Sequence, residues 1–134
     1  MEFLTRLDDW EPRLNAWVAE AADTPFAWGT HDCALFACRA VEAMTGTHPF
    51  PQFIGKYDDR EGAARALRLI GEGTLDRTFG SRFAECEPAF AQRGDIVMAE
   101  GALGVCMGRN GLFLTPEMGL ASLPRAAFVK AWRI

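Results

Sequence analysis

The first half of the chain repeats its apolar residues at the spacing of a helix with one buried face. One series predicts a helix over about residues 10 to 22 through Leu7, Trp10, Leu14, Trp17, Val18 and Ala21. A second series predicts a helix that begins at Asp32 or Cys33 and runs to about Met44, and Gly46 is expected to end it. A third helix is expected after Asp59, with one more short turn after it.

After Pro88 the spacing changes to short apolar runs separated by glycine, which is typical of strands. Four or five strands fit this part of the chain, at about residues 95–99, 103–107, 112–115, 120–123 and 128–133. Helices followed by an antiparallel meander place the chain in the α+β class. The sequence contains no internal repeat, linker or low-complexity tract, so it predicts a single domain over residues 1–134.

Charge and composition remove several classes of function. The 134 residues carry a formal net charge of −4, with a pI near 5.2 and no long run of either sign. Because nucleic acids and anionic membranes attract basic surfaces, we expect neither nucleic-acid binding nor membrane insertion. The first residues carry acids within an interrupted apolar pattern, so they predict neither a signal peptide nor a membrane span, and we expect synthesis in the cytoplasm.

Of the four cysteines, Cys33 has the position that favours thiol chemistry. It lies at the start of the second predicted helix, where free N–H groups and the helix dipole lower the pKa of a thiol. Cys38 is expected on the buried face of that helix, Cys86 in a loop and Cys106 within a strand. The sequence has no Cys-x-x-Cys pair and no histidine pair at ligand spacing, so neither a metal site nor another cofactor is predicted.

A cysteine nucleophile also needs a base within hydrogen-bond reach, and the chain has two histidines. His48 follows the predicted helix and lies roughly 16 Å from its start at 1.5 Å per residue, which excludes it. His31 precedes the thiol by two residues, so in an extended approach its ring lies on the same side as Cys33. Two interpretations of His31 stay open: a base for the thiol, or a histidine bound to a backbone carbonyl. Asp32 is best explained as the N-cap of the helix.

Three segments together resemble one known family. Residues 26–36 (Phe-Ala-Trp-Gly-Thr-His-Asp-Cys-Ala-Leu-Phe), 93–97 (Arg-Gly-Asp-Ile-Val) and 102–108 (Ala-Leu-Gly-Val-Cys-Met-Gly) are similar in order and spacing to three motifs of NlpC/P60 cell-wall peptidases. This resemblance implies a papain-like fold, in which a helix N-terminus presents a cysteine to a histidine on a small sheet. It also implies cleavage of amide bonds in peptidoglycan stem peptides, with Cys33 as the nucleophile.

The chain departs from that family at four polar positions. The strand histidine of the family falls on Ala102, and the polar residue that orients it falls on Leu114 or Thr115. The tyrosine that assists at the oxyanion falls on Phe26, and the serine after the nucleophile falls on Ala34. Because the members of a Cys-His unit act together, the absence of that histidine predicts a loss of most of the hydrolytic rate.

The whole sequence also resembles a group of small proteins encoded among the tail genes of prophages and gene-transfer-like elements. These proteins share its Phe-x-Trp-Gly-x-x-Asp-Cys segment and its Ala131-Trp132-Arg133 segment. We therefore predict a degenerate NlpC/P60-like domain, a structural or binding component of a phage-tail-like particle, with phage-tail proteins or a peptidoglycan peptide as partners. The alternative is an active cysteine hydrolase or amidase whose base is non-standard, His31 or Glu100.

Overall fold

A computed structural model describes residues 4–134 of the chain, and in it four helices precede a sheet. The helices are α1 (Trp10–Ala22), α2 (Cys33–Thr45), α3 (Arg60–Leu69) and α4 (Leu75–Gly80). Each one lies where the apolar spacing predicts it. Within residues 4–134, no helix combines the length and the apolar composition needed to cross a membrane.

Helix α2 has capping residues at both ends that the sequence predicts. The backbone of Asp32 is extended, and its carboxylate accepts a hydrogen bond of 2.9 Å from the N–H of Leu35, which satisfies one of the free donors of the first turn. Gly46 ends the helix in the left-handed conformation, with φ of 87°. The start of α2, and with it the position of Cys33, is therefore set by local chemistry.

Six antiparallel strands form the sheet, in the order β1-β6-β2-β3-β4-β5. They are β1 (Glu85–Cys86), β2 (Ile96–Ala99), β3 (Ala102–Cys106), β4 (Asn110–Thr115), β5 (Gly119–Pro124) and β6 (Lys130–Trp132). The α+β prediction, with helices followed by an antiparallel sheet, is confirmed. The meander prediction holds for β2 to β5 but is wrong for the last strand. Strand β6 returns across the sheet and pairs with β2 and β1, not with β5.

The prediction that Cys86 lies in a loop is also wrong. Cys86 belongs to β1, where it pairs with Ala131 of β6. A strand of two residues has no apolar period of its own, and it forms only because β6 supplies its hydrogen-bonding partner.

The core lies between α2 and the sheet, because α2 packs against β3 and β4. Most of α2 is buried there, including Leu35, Phe36, Ala37, Cys38, Ala40, Val41 and Met44. From the sheet, Leu103 and Val105 of β3 are fully buried in the same cluster. Since both α2 and β3 are fixed by this core, the first residue of α2 is held beside the first residues of β3.

Strands β3 and β4 separate soon after the turn that joins them. They pair only at Val105↔Leu112 and Cys106↔Gly111, while β3 continues its pairing with β2 and β4 continues with β5. We call the space between residues 102–104 of β3 and residues 113–115 of β4 the fork. Two hairpin tips flank the fork, since β2 and β3 are joined by residues 100–101 and β4 and β5 by residues 116–118.

Candidate functional site

A cavity of about 620 Å³, which we call the cleft, opens between the start of α2 and the fork. One wall is formed by the segments around Asp32, Cys33 and Tyr57 together with α3, and we call it the helix wall. The other, the sheet wall, is formed by β3, β4 and the two hairpin tips. A cleft of this size is in the range that binds small molecules or short peptide segments.

Cys33 is the first residue of α2 and is partly exposed to the cleft. The backbone of Leu103 of β3 lies close enough to lower the pKa of this thiol, so helix and sheet meet here. Cys38 and Cys106 are buried. The predicted location of the thiol, at a helix N-terminus, agrees with the structure.

The environment of Cys33 favours the neutral thiol. Burial raises its pKa to about 11, and the negative charge of Asp32 acts in the same direction. Backbone hydrogen bonds from Leu103 and Ala34 lower the pKa, but they do not outweigh the burial. A helix N-terminus alone therefore does not activate this thiol.

Asp32 has the most complete hydrogen-bonding arrangement in the cleft. Its side chain is buried, and it accepts bonds from three donors: the N–H of Gly29 at 3.0 Å, the N–H of Leu35 at 2.9 Å and the hydroxyl of Tyr57 at 2.6 Å. This carboxylate fixes the turn before α2, the first turn of α2 and the loop that carries Tyr57. Its acceptor capacity is directed to these donors and not to the thiol.

Tyr57 is a site residue that the sequence does not reveal. It is the only tyrosine of the chain and lies 25 residues from Asp32. Burial raises the pKa of its hydroxyl, and the charge of Asp32 raises it further, so the group is a permanent donor. Gly29, with φ of 85°, lets the Tyr57 backbone approach, since a Cβ there would collide with the carbonyl oxygen of Tyr57.

Both histidines bind backbone groups outside the cleft. His31 is buried, its Nε2 lies 3.3 Å from the carbonyl oxygen of Ala21, and its ring packs edge-on against Trp17 of α1. His48 accepts a hydrogen bond of 3.1 Å at Nδ1 from the N–H of Phe50. Neither histidine is among the residues that line the cleft. Of the two interpretations of His31, the structure matches the bond to a backbone carbonyl.

The sheet wall is apolar where it lies nearest to Cys33. Ala102, Leu103 and Leu114 line it, and the hydroxyl of Thr115 is used inside its own hairpin, where it donates to the carbonyl of Gly119 at 3.0 Å. Glu100 lies at the tip of the β2–β3 hairpin, exposed and with φ of 52°. Within residues 4–134, Glu100 is the one residue other than glycine with positive φ.

The described residues offer no candidate metal centre. Among residues 4–134, no group of three or more His, Cys, Asp or Glu side chains is arranged to hold a metal ion. The charged side chains that line the cleft are Asp32, Glu100, Glu117 and Arg60. The arrangement can therefore bind a ligand through apolar contacts and charged side chains.

The chain belongs to the family described as Domain of unknown function (DUF6950), whose model matches residues 5–134. No curated protein matches the chain. The match spans both walls of the cleft, from the residues before α1 to those after β6.

Proposed function

We propose that this member of the family is a degenerate NlpC/P60-like domain that binds and does not hydrolyse. On this proposal the domain has a papain-like architecture and is a structural or binding component of a phage-tail-like particle, assembled after synthesis in the cytoplasm. The three motifs described above support a relationship to NlpC/P60 peptidases. The start of α2 also lies beside β3, and the resemblance implies such a placement of the cysteine next to a small sheet.

One observation carries the proposal: the strand position that the resemblance assigns to the histidine is Ala102. The backbone of Leu103 lies beside the thiol, but the lining of the cleft includes no imidazole. A thiol must lose its proton to attack an amide, and that proton needs an acceptor nearby. With a pKa raised to about 11, about one Cys33 side chain in 10⁴ is a thiolate at pH 7.

The proposal is tested by the rate at which iodoacetamide alkylates Cys33 between pH 6 and pH 12, with Cys33→Ser as the matched control. The Cys33→Ser variant keeps Cys86, the other partly exposed thiol, so subtracting its alkylation rate leaves the rate of Cys33 alone. We expect a midpoint near pH 11 and no release of fragments from peptidoglycan peptides. A midpoint below about pH 7 contradicts the proposal, because such a thiol is a competent nucleophile.

The alternative is an active cysteine hydrolase or amidase with Glu100 as its base. It is supported by the presence of Glu100 and Cys33 in the same cleft. This alternative requires hydrolysis of peptidoglycan fragments that is lost in both Cys33→Ala and Glu100→Gln. Hydrolysis that survives in Cys33→Ala excludes it.

A further inference from the structure

The two outer strands of the sheet differ in how well they are protected from pairing with another strand. In the strand order β1-β6-β2-β3-β4-β5, these outer strands are β1 and β5. Strand β1 has two residues, and one of them is Glu85, which is exposed and lies 3.9 Å from Lys130. Shortness and charge both keep other strands from adding to an edge. Strand β5 (Gly119–Pro124) has six residues and no charge, so it lacks both of these protections.

The backbone of β5 has donors and acceptors that face away from the sheet. Alternate residues of an antiparallel strand direct their N–H and C=O groups to the same side. The N–H of Arg125 donates a hydrogen bond of 3.1 Å to the carbonyl of Arg109, and β5 keeps the register of this pair with β4. The odd-numbered residues of β5 therefore face β4, and Leu120 and Ser122 face outward.

The outward groups of β5 are accessible. Among residues 4–134, no backbone group of a loop or turn binds the N–H or C=O of Leu120 or Ser122. The side chain of Leu120 packs against the core cluster that contains Leu14 of α1, so α1 contacts β5 on the face toward the core. Ser122 and Pro124 are exposed. The edge is thus open along the second half of β5.

The edge of β5 is complementary to a second copy of itself. When two copies of β5 pair antiparallel about a two-fold axis at Ala121, Leu120 of each copy lies opposite Ser122 of the other. Both residues then exchange their N–H and C=O groups in reciprocal hydrogen bonds. An axis at Ser122 instead places Leu120 opposite Pro124, which has no N–H, and leaves the C=O of Leu120 unpaired. The axis at Ala121 is therefore the one that pairs both residues completely.

The residues that flank β5 carry opposite charges. Glu117 precedes the strand and Arg125 follows it, and within residues 4–134 neither lies at ion-pair distance from an opposite charge. Arg125 binds carbonyl groups, including that of Gly108 at 2.6 Å. In the two-fold arrangement the start of one strand lies beside the end of the other, so Glu117 approaches Arg125 of the second copy. Met118, which is 74% exposed, then lies beside the exposed Pro124 of the second copy.

From the open and uncharged edge, its self-complementary backbone and the opposite charges at its ends, we propose that two copies of this chain join through β5 into one continuous sheet. The hydrogen bonds of Leu120 and Ser122 set the register, and the flanking charges favour the antiparallel direction. This inference goes beyond the proposed function, since it requires neither a ligand in the cleft nor a reactive thiol.

The first test measures the oligomeric state of the full chain by sedimentation velocity, between about 1 μM and 1 mM. Ser122→Pro removes an outward N–H that β4 does not use, so the pairing of β4 with β5 is kept. Ser122→Ala is the matched control, because it keeps that N–H. We expect the native chain and Ser122→Ala to dimerise with the same Kd, below about 1 mM, and Ser122→Pro to weaken dimerisation at least about tenfold.

The second test places charges at the two-fold axis. Ala121 of one copy lies directly opposite Ala121 of the other, in the type of pair whose side chains lie closest together. Ala121→Lys and Ala121→Glu should each weaken dimerisation at least about fivefold, because like charges face each other, and an equimolar mixture of the two should restore it. The mixture separates repulsion from misfolding, since a misfolded chain does not recover on mixing. If Ser122→Pro does not fold, judged by circular dichroism, these charged variants decide the question.

The inference is overturned by any of several results. A chain that stays monomeric at about 1 mM leaves the β5 edge to a strand of another protein. A dimer that a folded Ser122→Pro variant does not weaken uses a different surface. A mixture of the two charged variants that dimerises no better than either alone excludes an axis at Ala121. None of these results bears on the alkylation of Cys33, so the two proposals fail in different experiments.

Discussion

The two walls of the cleft differ in their polar groups: the helix wall carries a hydrogen-bonded network, and the sheet wall around Ala102 does not. On the helix wall, the Asp32 carboxylate binds three donors, and Tyr57 and Gly29 are fitted closely around it. On the sheet wall, Ala102 and the buried side chains around it offer no titratable group to the thiol. The polar wall is thus a support for the helix start, and the apolar wall has the character of a binding surface.

This difference shows that the position of the thiol and its activation depend on separate parts of the structure. The hydrogen bonds of Asp32 hold α2 and its thiol in place whether or not a base is present, since they act on backbone and phenol groups. Activation depends on the opposite wall, because a thiolate is stabilised by a cationic or proton-accepting neighbour. Each wall can therefore be altered separately. Substitutions on the helix wall should change the stability of the protein, and substitutions on the sheet wall should change the reactivity of the thiol.

The largest effect is expected from removal of the polar centre of the helix wall. Asp32→Ala removes the N-cap and leaves the buried N–H of Gly29 and the hydroxyl of Tyr57 without an acceptor. We expect the free energy of unfolding to fall by about 3 to 5 kcal/mol, measured by urea denaturation. Tyr57→Phe removes one bond of the three and should cost about 1 to 2 kcal/mol. A loss below about 1 kcal/mol for Asp32→Ala would show that the network does not hold the helix start.

An intermediate effect is expected when a base is added to the sheet wall. In Ala102→His, an imidazole near the thiol should stabilise the thiolate and lower the pKa of Cys33. We expect alkylation of Cys33 at pH 7 to accelerate at least about tenfold, which corresponds to about 1.4 kcal/mol. Ala102→Gln adds similar bulk without a base and should leave the rate unchanged. Equal rates in the two variants would mean that burial, and not the absence of a base on this wall, limits reactivity.

The smallest effect is expected at the edge of the sheet wall. Asparagine adopts positive φ more readily than glutamate, so Glu100→Asn should stabilise the protein by about 0.5 to 1 kcal/mol, seen as a higher melting temperature. Glu117→Asn is the matched control, because Glu117 lacks positive φ and should give no such gain. If both variants gain equally, the cause is reduced charge repulsion around the fork and not relief of backbone strain.

The helix wall was largely predictable from the sequence because its determinants are local. The apolar period, the N-cap role of Asp32 and the glycine that ends α2 act within a few residues of each other. The role of Tyr57 could not be predicted, because its partner lies 25 residues away. A single tyrosine among apolar residues also adds no recognisable pattern to the sequence. For His31, the sequence left two interpretations open, and the bond to Ala21 depends on how α1 docks.

The sheet wall was predictable only in part because its determinants are distant in sequence. The strands β2 to β5 follow from alternation and turn residues, but the position of β6 beside β2 depends on contacts about 34 residues apart. The early separation of β3 from β4 has no sequence signature, since Gly104 and Phe113 fit a continuous ladder equally well. Phe113 approaches the backbone of Gly104 so closely that a Cβ there would collide with its ring.

The position of β6 also has a consequence for how the protein is made. A strand near the end of the sequence occupies an interior place in the sheet, between β1 and β2. During synthesis, β2 leaves the ribosome with one edge unpaired and stays so until residues 130–132 follow. The nascent chain thus carries this open edge while residues 100–129 are added, and such edges recruit other chains. Slow translation of the residues between β2 and β6 should therefore lower the yield of folded protein more than slow translation of the helical half.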